Sequence, residues 1–128
     1  MKQIISTTHA PQAIGHYSQA IHAGDYVFIS GQLPINPLSG KIDETEISKQ
    51  AKQVFSNISG ILKAAGLTFD DVVKVTLLLT DINDFSQVNE VYNSYFTFKA
   101  ARVTFQVAAL PMNAKIETEV IAYKPSTR

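Results

Sequence analysis

The chain has no cysteine and no tryptophan, its eleven basic and eleven acidic residues cancel, and no apolar run approaches the length of a membrane span. Each absence removes a class of function. Without cysteine there are no disulfides, thiolate nucleophiles or cysteine-based zinc and iron–sulfur sites, a composition that fits a reducing compartment. Without a basic excess there is no electrostatic footprint for a phosphate backbone, so nucleic acid is a poor fit as partner. The opening residues, Met-Lys-Gln-Ile-Ile-Ser-Thr-Thr-His, lack the apolar core of a signal peptide, and the expectation is a cytoplasmic protein with no membrane partner. The six glycines form neither G-x-G-x-x-G nor G-x-x-x-x-G-K, and no serine stands in G-x-S-x-G, so the phosphate-loop and serine-hydrolase routes have no support. His9, His16 and His22 are spaced seven and six residues apart with no H-E-x-x-H beside them, which matches no metal-binding pattern. Of the three, His16 beside Tyr17 is the one to follow.

What remains is 128 residues with 45% hydrophobic content, enough for one domain over 1–128 to bury a core unaided by metal or disulfide. A short leading strand is expected over 3–10, then a loop through Pro11 and Gly15, then strands at 20–22 and 26–30 turned at Gly24-Asp25, with Gly31 ending the second. Asp43 and Glu46 have capping-box spacing ahead of a helix whose Ile47, Ala51, Val54, Phe55, Ile58, Ile61 and Leu62 share one face, and Gly66 supplies the stop. Gly60 weakens that helix by about 1 kcal/mol relative to alanine. The strongest strand is 72–80, with Val73, Val75, Leu77 and Leu79 alternating against Lys74, Thr76 and Leu78. Asp84, with Gln87 three residues on, opens a second helix carrying Phe85, Val88, Val91, Tyr92, Tyr95 and Phe96 at helical spacing, more fitting for core than for stacking bases.

Two strands close the chain. In 101–109, Arg102, Thr104 and Gln106 alternate with Val103, Phe105 and Val107; in 115–123, Lys115, Glu117 and Glu119 alternate with Ile116, Thr118 and Val120. Pro111-Met112-Asn113 breaks the two apart. Paired as antiparallel neighbours, they would bring Arg102, Thr104, Gln106 and Glu117 to one face. The element order is that of an α+β fold, two helices covering one face of a mixed, mainly antiparallel sheet. The uncovered face would then carry Lys74, Thr76 and Leu78 with the Arg102 stripe, a mixed polarity that suits a subunit interface with ligand sites in its seams; an open sheet facing water is the alternative. Arg102 reads either as half of an ion pair with Glu117 or as a fork for a ligand carboxylate, with Glu117 free to hold a water.

Several stretches carry a resemblance. Ala13-Ile14-Gly15-His16-Tyr17-Ser18-Gln19-Ala20, Ile29-Ser30-Gly31-Gln32-Leu33-Pro34, Asn83-Asp84-Phe85, Val88-Asn89-Glu90-Val91-Tyr92, Ala101-Arg102 and Ala114-Lys115-Ile116-Glu117 are similar, in this order over nearly the whole chain, to the Rid family of reactive-intermediate deaminases, also called YjgF/YER057c/UK114. The resemblance implies a chorismate-mutase-like fold, a homotrimer around a central barrel, and three ligand clefts between subunits. It implies hydrolysis of 2-imino acids and their enamine tautomers, released by serine and threonine dehydratases, to 2-keto acids and ammonia, with no cofactor. A non-catalytic module that binds 2-keto acids, or regulates through a partner, is the runner-up. Ribonuclease or chaperone-like activity is a third possibility.

By the same resemblance Arg102 is the carboxylate-binding arginine and Glu117 the acid that positions the attacking water, while Tyr17, Ser30, Gly31, Asn89 and Thr104 line the cleft. Four positions depart from the family's usual residues: Thr104 replaces a frequent cysteine, Ala100 and His16 replace prolines, and Thr118 replaces an aliphatic residue. The two missing prolines, at Ala100 and His16, bear on the shape of the cleft and hence on substrate range and rate, whereas the change at Thr104 matters little if its backbone makes the contact.

Overall fold

A computed structural model describes residues 1–125. Six strands form one sheet: β1 (Lys2–Ile5), β2 (Ala20–Ala23), β3 (Tyr26–Gln32), β4 (Val72–Leu79), β5 (Ala101–Gln106) and β6 (Ile116–Tyr123), in the order β1-β2-β3-β6-β4-β5. Every neighbouring pair is antiparallel except β4 with β5, which run parallel. Helix α1 (Ile47–Ala64) connects β3 to β4 and α2 (Phe85–Tyr95) connects β4 to β5. The α+β class and the two-helix layer agree with the sequence reading.

The two helices meet the sheet through the residues their periodicity selects. Along α1, Ala51, Val54, Phe55, Ile58, Ile61 and Leu62 are buried against Val27, Val75, Leu77, Leu79, Ile116 and Val120 of the sheet. Phe55 sits edge-on to Tyr92 and Phe96 at centroid distances of 5.9 and 5.2 Å, and Tyr92 stacks on Phe96 at 4.2 Å, so the aromatic residues of α2 are core. Helix α1 ends in a Schellman motif. Leu67 N–H donates to the Leu62 carbonyl and Gly66 N–H to that of Lys63, with Gly66 at φ +77°. Gly60 has a positive reason to be glycine: a Cβ there would lie 2.6 Å from the His9 carbonyl oxygen, so the chain's leading segment rests directly on the helix.

Several sequence expectations are corrected. The leading strand stops at Ile5, because the Thr7 backbone is bonded to the Gln19 side chain instead of to a neighbouring strand. The second strand runs on to Ala23, and β3 passes through Gly31 to Gln32 by means of a bulge. Neither helix has the expected side-chain cap: Glu46 is the N-cap of α1 without a side-chain bond, and the Asp43 carboxylate instead accepts from Asn36 and Ser39. At α2, Asp84 makes no cap bond, while Asp81 accepts from Asn83 N–H in the 3-10 turn before it. In β4, Val73 is an extra residue between the pairs Val72↔Ala122 and Lys74↔Ile121, so Val72 takes the buried place and Val73 faces out.

The largest correction concerns the last two strands. They are not neighbours, for β4 lies between them. A strand joined to the next through a helix returns parallel to its own partner, which places β5 beside β4 at the sheet edge. Strand β6, alternating buried Ile116, Thr118, Val120 and Ala122 with more exposed residues, takes a central position. The link between them crosses the end of β4, with Val107 N–H bonding Leu79 O and Thr80 N–H bonding Lys115 O.

Register then decides the faces. Arg102, Thr104 and Gln106 pair with Val75, Leu77 and Leu79, so all three lie on the helix side of the sheet. The open face instead carries Val103 and Phe105 of β5 beside Thr76 and Leu78, with Tyr26, Phe28, Ile121, Tyr123 and Glu117. It is more apolar than the sequence pattern suggested, since the polar stripe of β5 is turned the other way.

Thr118 occupies a core position with 0% exposure, and its hydroxyl finds no partner among the described residues. A buried hydroxyl without a hydrogen bond costs free energy that an apolar group of the same shape does not. Thr118→Val is expected to stabilise the fold by about 1 kcal/mol, read as a higher midpoint in urea with an unchanged slope.

Candidate functional site

The first cluster is built on the bulge of β3. Between the pairs Ile29↔Val120 and Gln32↔Thr118, Ser30 and Gly31 stand opposite the single residue Glu119 of β6. Ser30 is fixed from two sides, its N–H donating to the Gln19 carbonyl at 2.9 Å and its hydroxyl to the Ser18 carbonyl at 2.6 Å. Gly31 is glycine for lack of room. A Cβ there would lie 2.5 Å from Glu117 Oε2, so the carboxylate lies directly over the backbone of the bulge.

The loop that faces the bulge is held by one side chain. Gln19 is buried; its amide nitrogen donates to the carbonyls of Thr7, Ala10 and Pro11, and its amide oxygen accepts from Thr7 N–H. With that anchor the segment 11–18 arches over β3 and presents the Tyr17 ring, which is more than half exposed. Asn57 of α1 secures the other wall by donating to the carbonyls of Leu33 and Ile35 at 3.1 and 2.9 Å. The result is an open groove of about 670 Å³ with Tyr17, Ser30, Gly31, Met112, Glu117 and Glu119 among its lining. Met112 reaches it from a turn in which both Met112 and Asn113 hold left-handed backbone, at φ 58° and 57°. Such strain, unusual for methionine, persists only where surrounding contacts fix the turn.

Burial, then the neighbouring charge of Glu119, raises the Glu117 carboxyl above its ordinary value of 4.5. A carboxyl so placed exchanges a proton more readily near neutral pH than an ordinary glutamate does.

The second cluster lies at the edge of the sheet, on its other face. Arg102 Nη1 donates to Asn89 Oδ1 of α2 at 3.0 Å, and the guanidinium carbon stands 5.3 Å from the Phe85 ring centroid and 4.5 Å from that of Tyr92. Arg102 itself is exposed, so its remaining N–H donors are available to a ligand. Thr104 follows on the same side of β5, and its hydroxyl is buried with no partner among the described residues.

Of the residues singled out in the sequence, then, Tyr17, Ser30, Gly31 and Glu117 are brought together in the groove, and Arg102, Asn89 and Thr104 are gathered at the edge. The two sets are not brought together within one chain. Arg102 and Glu117 are not an ion pair, because β4 separates their strands and they point to opposite faces. His16 is exposed on the groove loop. Residues without a role in the sequence reading also matter here: Gln19 as loop anchor, Met112 as groove wall, Phe85 and Tyr92 beneath Arg102. The spacing of Phe85, Asn89 and Tyr92, four and then three residues, already marks one face of α2 and was the available signal. Among the described residues no group of three or more His, Cys, Asp or Glu side chains is arranged to hold a metal, and no helix is long and apolar enough to cross a membrane.

One six-stranded sheet under two helices, with a carboxyl-bearing groove on one side and an exposed arginine on the other, defines a small α+β protein. Comparison with known proteins narrows the class. The family profile described as Endoribonuclease L-PSP matches residues 7–124. A RutC family protein of Pyrococcus horikoshii is 52% identical over 125 residues, covering 97% of this chain and 99% of that one. Proteins of Bos taurus and Homo sapiens named 2-iminobutanoate/2-iminopropanoate deaminase are 51% and 48% identical over 123 residues, 95% of this chain and 90% of each. Among solved structures, a Rid family protein of Yersinia pestis superposes with a TM-score of 0.94 at 48% identity, covering 96% of this chain and 99% of that one. The TdcF protein of E. coli, solved with bound serine, superposes at 0.92 with 41% identity, over 95% and 98%. The chain belongs to the YjgF/Rid family, as its motifs implied.

The raised Glu117 titration has a consequence for stability. The folded state binds this proton more tightly than the unfolded state, so stability falls as pH rises from about 4.5 through the folded value and is level above it. Glu117→Gln removes the ionisation and is expected to melt at a higher temperature than wild type at pH 7, the difference closing as pH drops below 4.5.

Proposed function

We propose that the chain hydrolyses 2-imino acids and their enamine tautomers to 2-keto acids and ammonia, in clefts completed by two subunits of a homotrimer. The observation that carries this reading is the separation of Arg102 from Glu117 onto opposite faces of one sheet, each poised and neither neutralised by the other. A neighbouring subunit laid on the open face supplies the missing half. The apolar side chains there, among them Phe28, Val103, Phe105 and Tyr123, are more exposed than a solvated sheet face needs, and their burial would drive the assembly. Three such sheets closing around an axis give the central barrel the family resemblance implies.

In such a cleft Arg102 grips the substrate carboxylate through two parallel charge-assisted hydrogen bonds, which fixes the C=N carbon in place. Glu117, held over Gly31, orients a water on that carbon. As the water oxygen bonds to carbon, its proton passes to the carboxylate and the C=N pair of electrons moves to the protonated nitrogen. The resulting carbinolamine then collapses: Glu117 returns the proton to the amine, the C–N bond breaks and ammonia leaves. The C=O bond of the keto acid forms as the carbinolamine hydroxyl gives its own proton to the freed Glu117 carboxylate, which passes it to the departing ammonia or to water. Tyr17 and Ser30 wall the cleft, and Asn89 and Thr104 border Arg102. Imines hydrolyse readily in water, so positioning and one proton shuttle suffice. No step calls for a metal or a cofactor.

The family profile's description names a nuclease, but the groove sets Glu117 beside Glu119, and two carboxylates repel a phosphate backbone. The cysteine-free composition fits the cytoplasm, the proposed location.

In a coupled reaction with threonine dehydratase, the wild-type chain is expected to hasten the appearance of 2-oxobutanoate. Arg102→Ala should return the rate to that without the protein, and Arg102→Lys should lose at least about tenfold, since an ammonium cannot make the two-pronged contact. Full activity in the lysine variant contradicts the fork. Sedimentation should give three times the 14.1 kDa chain mass; a monomer at assay concentration contradicts the shared cleft.

A further inference from the structure

Arg102 lies on an edge strand, exposed, with no strand beyond β5 among the described residues to confine it. Arginine on such a strand has considerable rotamer freedom, and a ligand that must first freeze it binds more weakly. Three residues on one face of α2 remove that freedom. Asn89 accepts from one terminal nitrogen at 3.0 Å, while the rings of Phe85 and Tyr92 stand 5.3 and 4.5 Å from the guanidinium carbon, inside the range of a cation–π contact. Their spacing in the sequence aligns all three toward β5.

The rings are themselves fixed, unequally. Tyr92 is buried, stacked on Phe96 and edge-on to Phe55, so the core sets its position. Phe85 is half-buried and packs only at the margin of the core. Held against the two rings and bonded to Asn89, with a further side-chain interaction at the Tyr92 hydroxyl, the exposed guanidinium retains N–H donors for a carboxylate.

We propose that Phe85 and Tyr92 are positioning residues for Arg102, an aromatic shelf that with Asn89 pre-orients the guanidinium and so sets affinity for the ligand carboxylate without touching the ligand. This rests on the carboxylate-binding role of Arg102 and adds what enforces it. Removing the π face at Phe85 loosens the arginine in the free protein; the loss appears in carboxylate binding and KM, while kcat, governed by the water at Glu117, stays in place.

The test compares Phe85→Leu, which keeps apolar bulk, with Phe85→Tyr, which keeps the ring, each in wild-type and Arg102→Ala backgrounds. Binding of 2-oxobutanoate is followed by calorimetry, and the Arg102 Nε–H resonance by NMR, its assignment taken from its loss in Arg102→Ala. Phe85→Leu is expected to weaken binding and raise KM about fivefold at unchanged kcat and to shift the Nε–H signal away from its ring-current position. Phe85→Tyr should stay within about twofold of wild type. In the Arg102→Ala background, where the comparison is made by calorimetry on the residual 2-oxobutanoate binding at high ligand concentration, Phe85→Leu should add nothing, because its effect passes through the arginine. An equal loss in both backgrounds, a fall in kcat alone, or an Nε–H signal unmoved by Phe85→Leu overturns the proposal. The reading of the chain as a deaminase fails separately: 2-oxobutanoate then binds, or the Nε–H signal responds as expected, without any acceleration of imine hydrolysis.

Discussion

A side chain on a pleated strand points to one face of its sheet, and the insertion of β6 between β3 and β4 makes that rule decisive here. It places Glu117 on the open face, over the bulge of β3, and leaves Arg102 on the helix face at the far edge, with β4 between them. No rotamer change brings a guanidinium through a sheet. In the proposed reaction a ligand gripped by both groups would therefore lie between copies of the chain, and the open face offers apolar side chains on which copies could meet. The proposed assembly and the proposed chemistry both rest on this one point of topology.

Each half is made rigid by local means before any partner arrives. The bulge at Ser30-Gly31 lets the Glu117 carboxylate rest against bare backbone, and the Gln19 amide, through both its nitrogen and its oxygen, holds the Tyr17 loop above it. On the other side, Asn89, Phe85 and Tyr92 clasp Arg102 from one helix face. These arrangements are not free. Glu117 is partly desolvated beside a second carboxylate, and Met112 holds backbone that favours glycine or asparagine. Strain and unfavourable charge concentrated at a groove are what a functional site retains at the expense of stability.

Much of this was legible in the sequence, and the parts that were not share a cause. Periodicity located both helices and their buried faces, and the motif strings carried the family. It also assigned Arg102, Thr104 and Gln106 to one stripe correctly. What alternation cannot tell is which face of the sheet a stripe occupies, or which strand lies next to which. Pro111-Met112-Asn113 reads as a hairpin turn, yet the link spans an intervening strand. The caps failed for a related reason: the carboxylate of Asp43 was claimed by Asn36 and Ser39, tertiary partners that spacing does not reveal. At Val73 one extra residue moved an apolar side chain from core to surface. Gly31 was read as the end of a strand and Gly60 as a weak point in a helix, whereas each marks a close approach, to Glu117 and to the His9 carbonyl.

The claim that the two halves belong to different subunits is most directly tested by mixing two inactive variants, Arg102→Ala and Glu117→Ala, unfolded together and refolded in equal amounts. Each variant spoils a different half of the cleft. If neighbouring subunits contribute one half each, random mixing leaves about a quarter of interfaces intact and should restore about that fraction of wild-type imine hydrolysis. Mixed assemblies that form but stay as inactive as either variant alone would contradict a shared cleft and place both residues' work within a single chain.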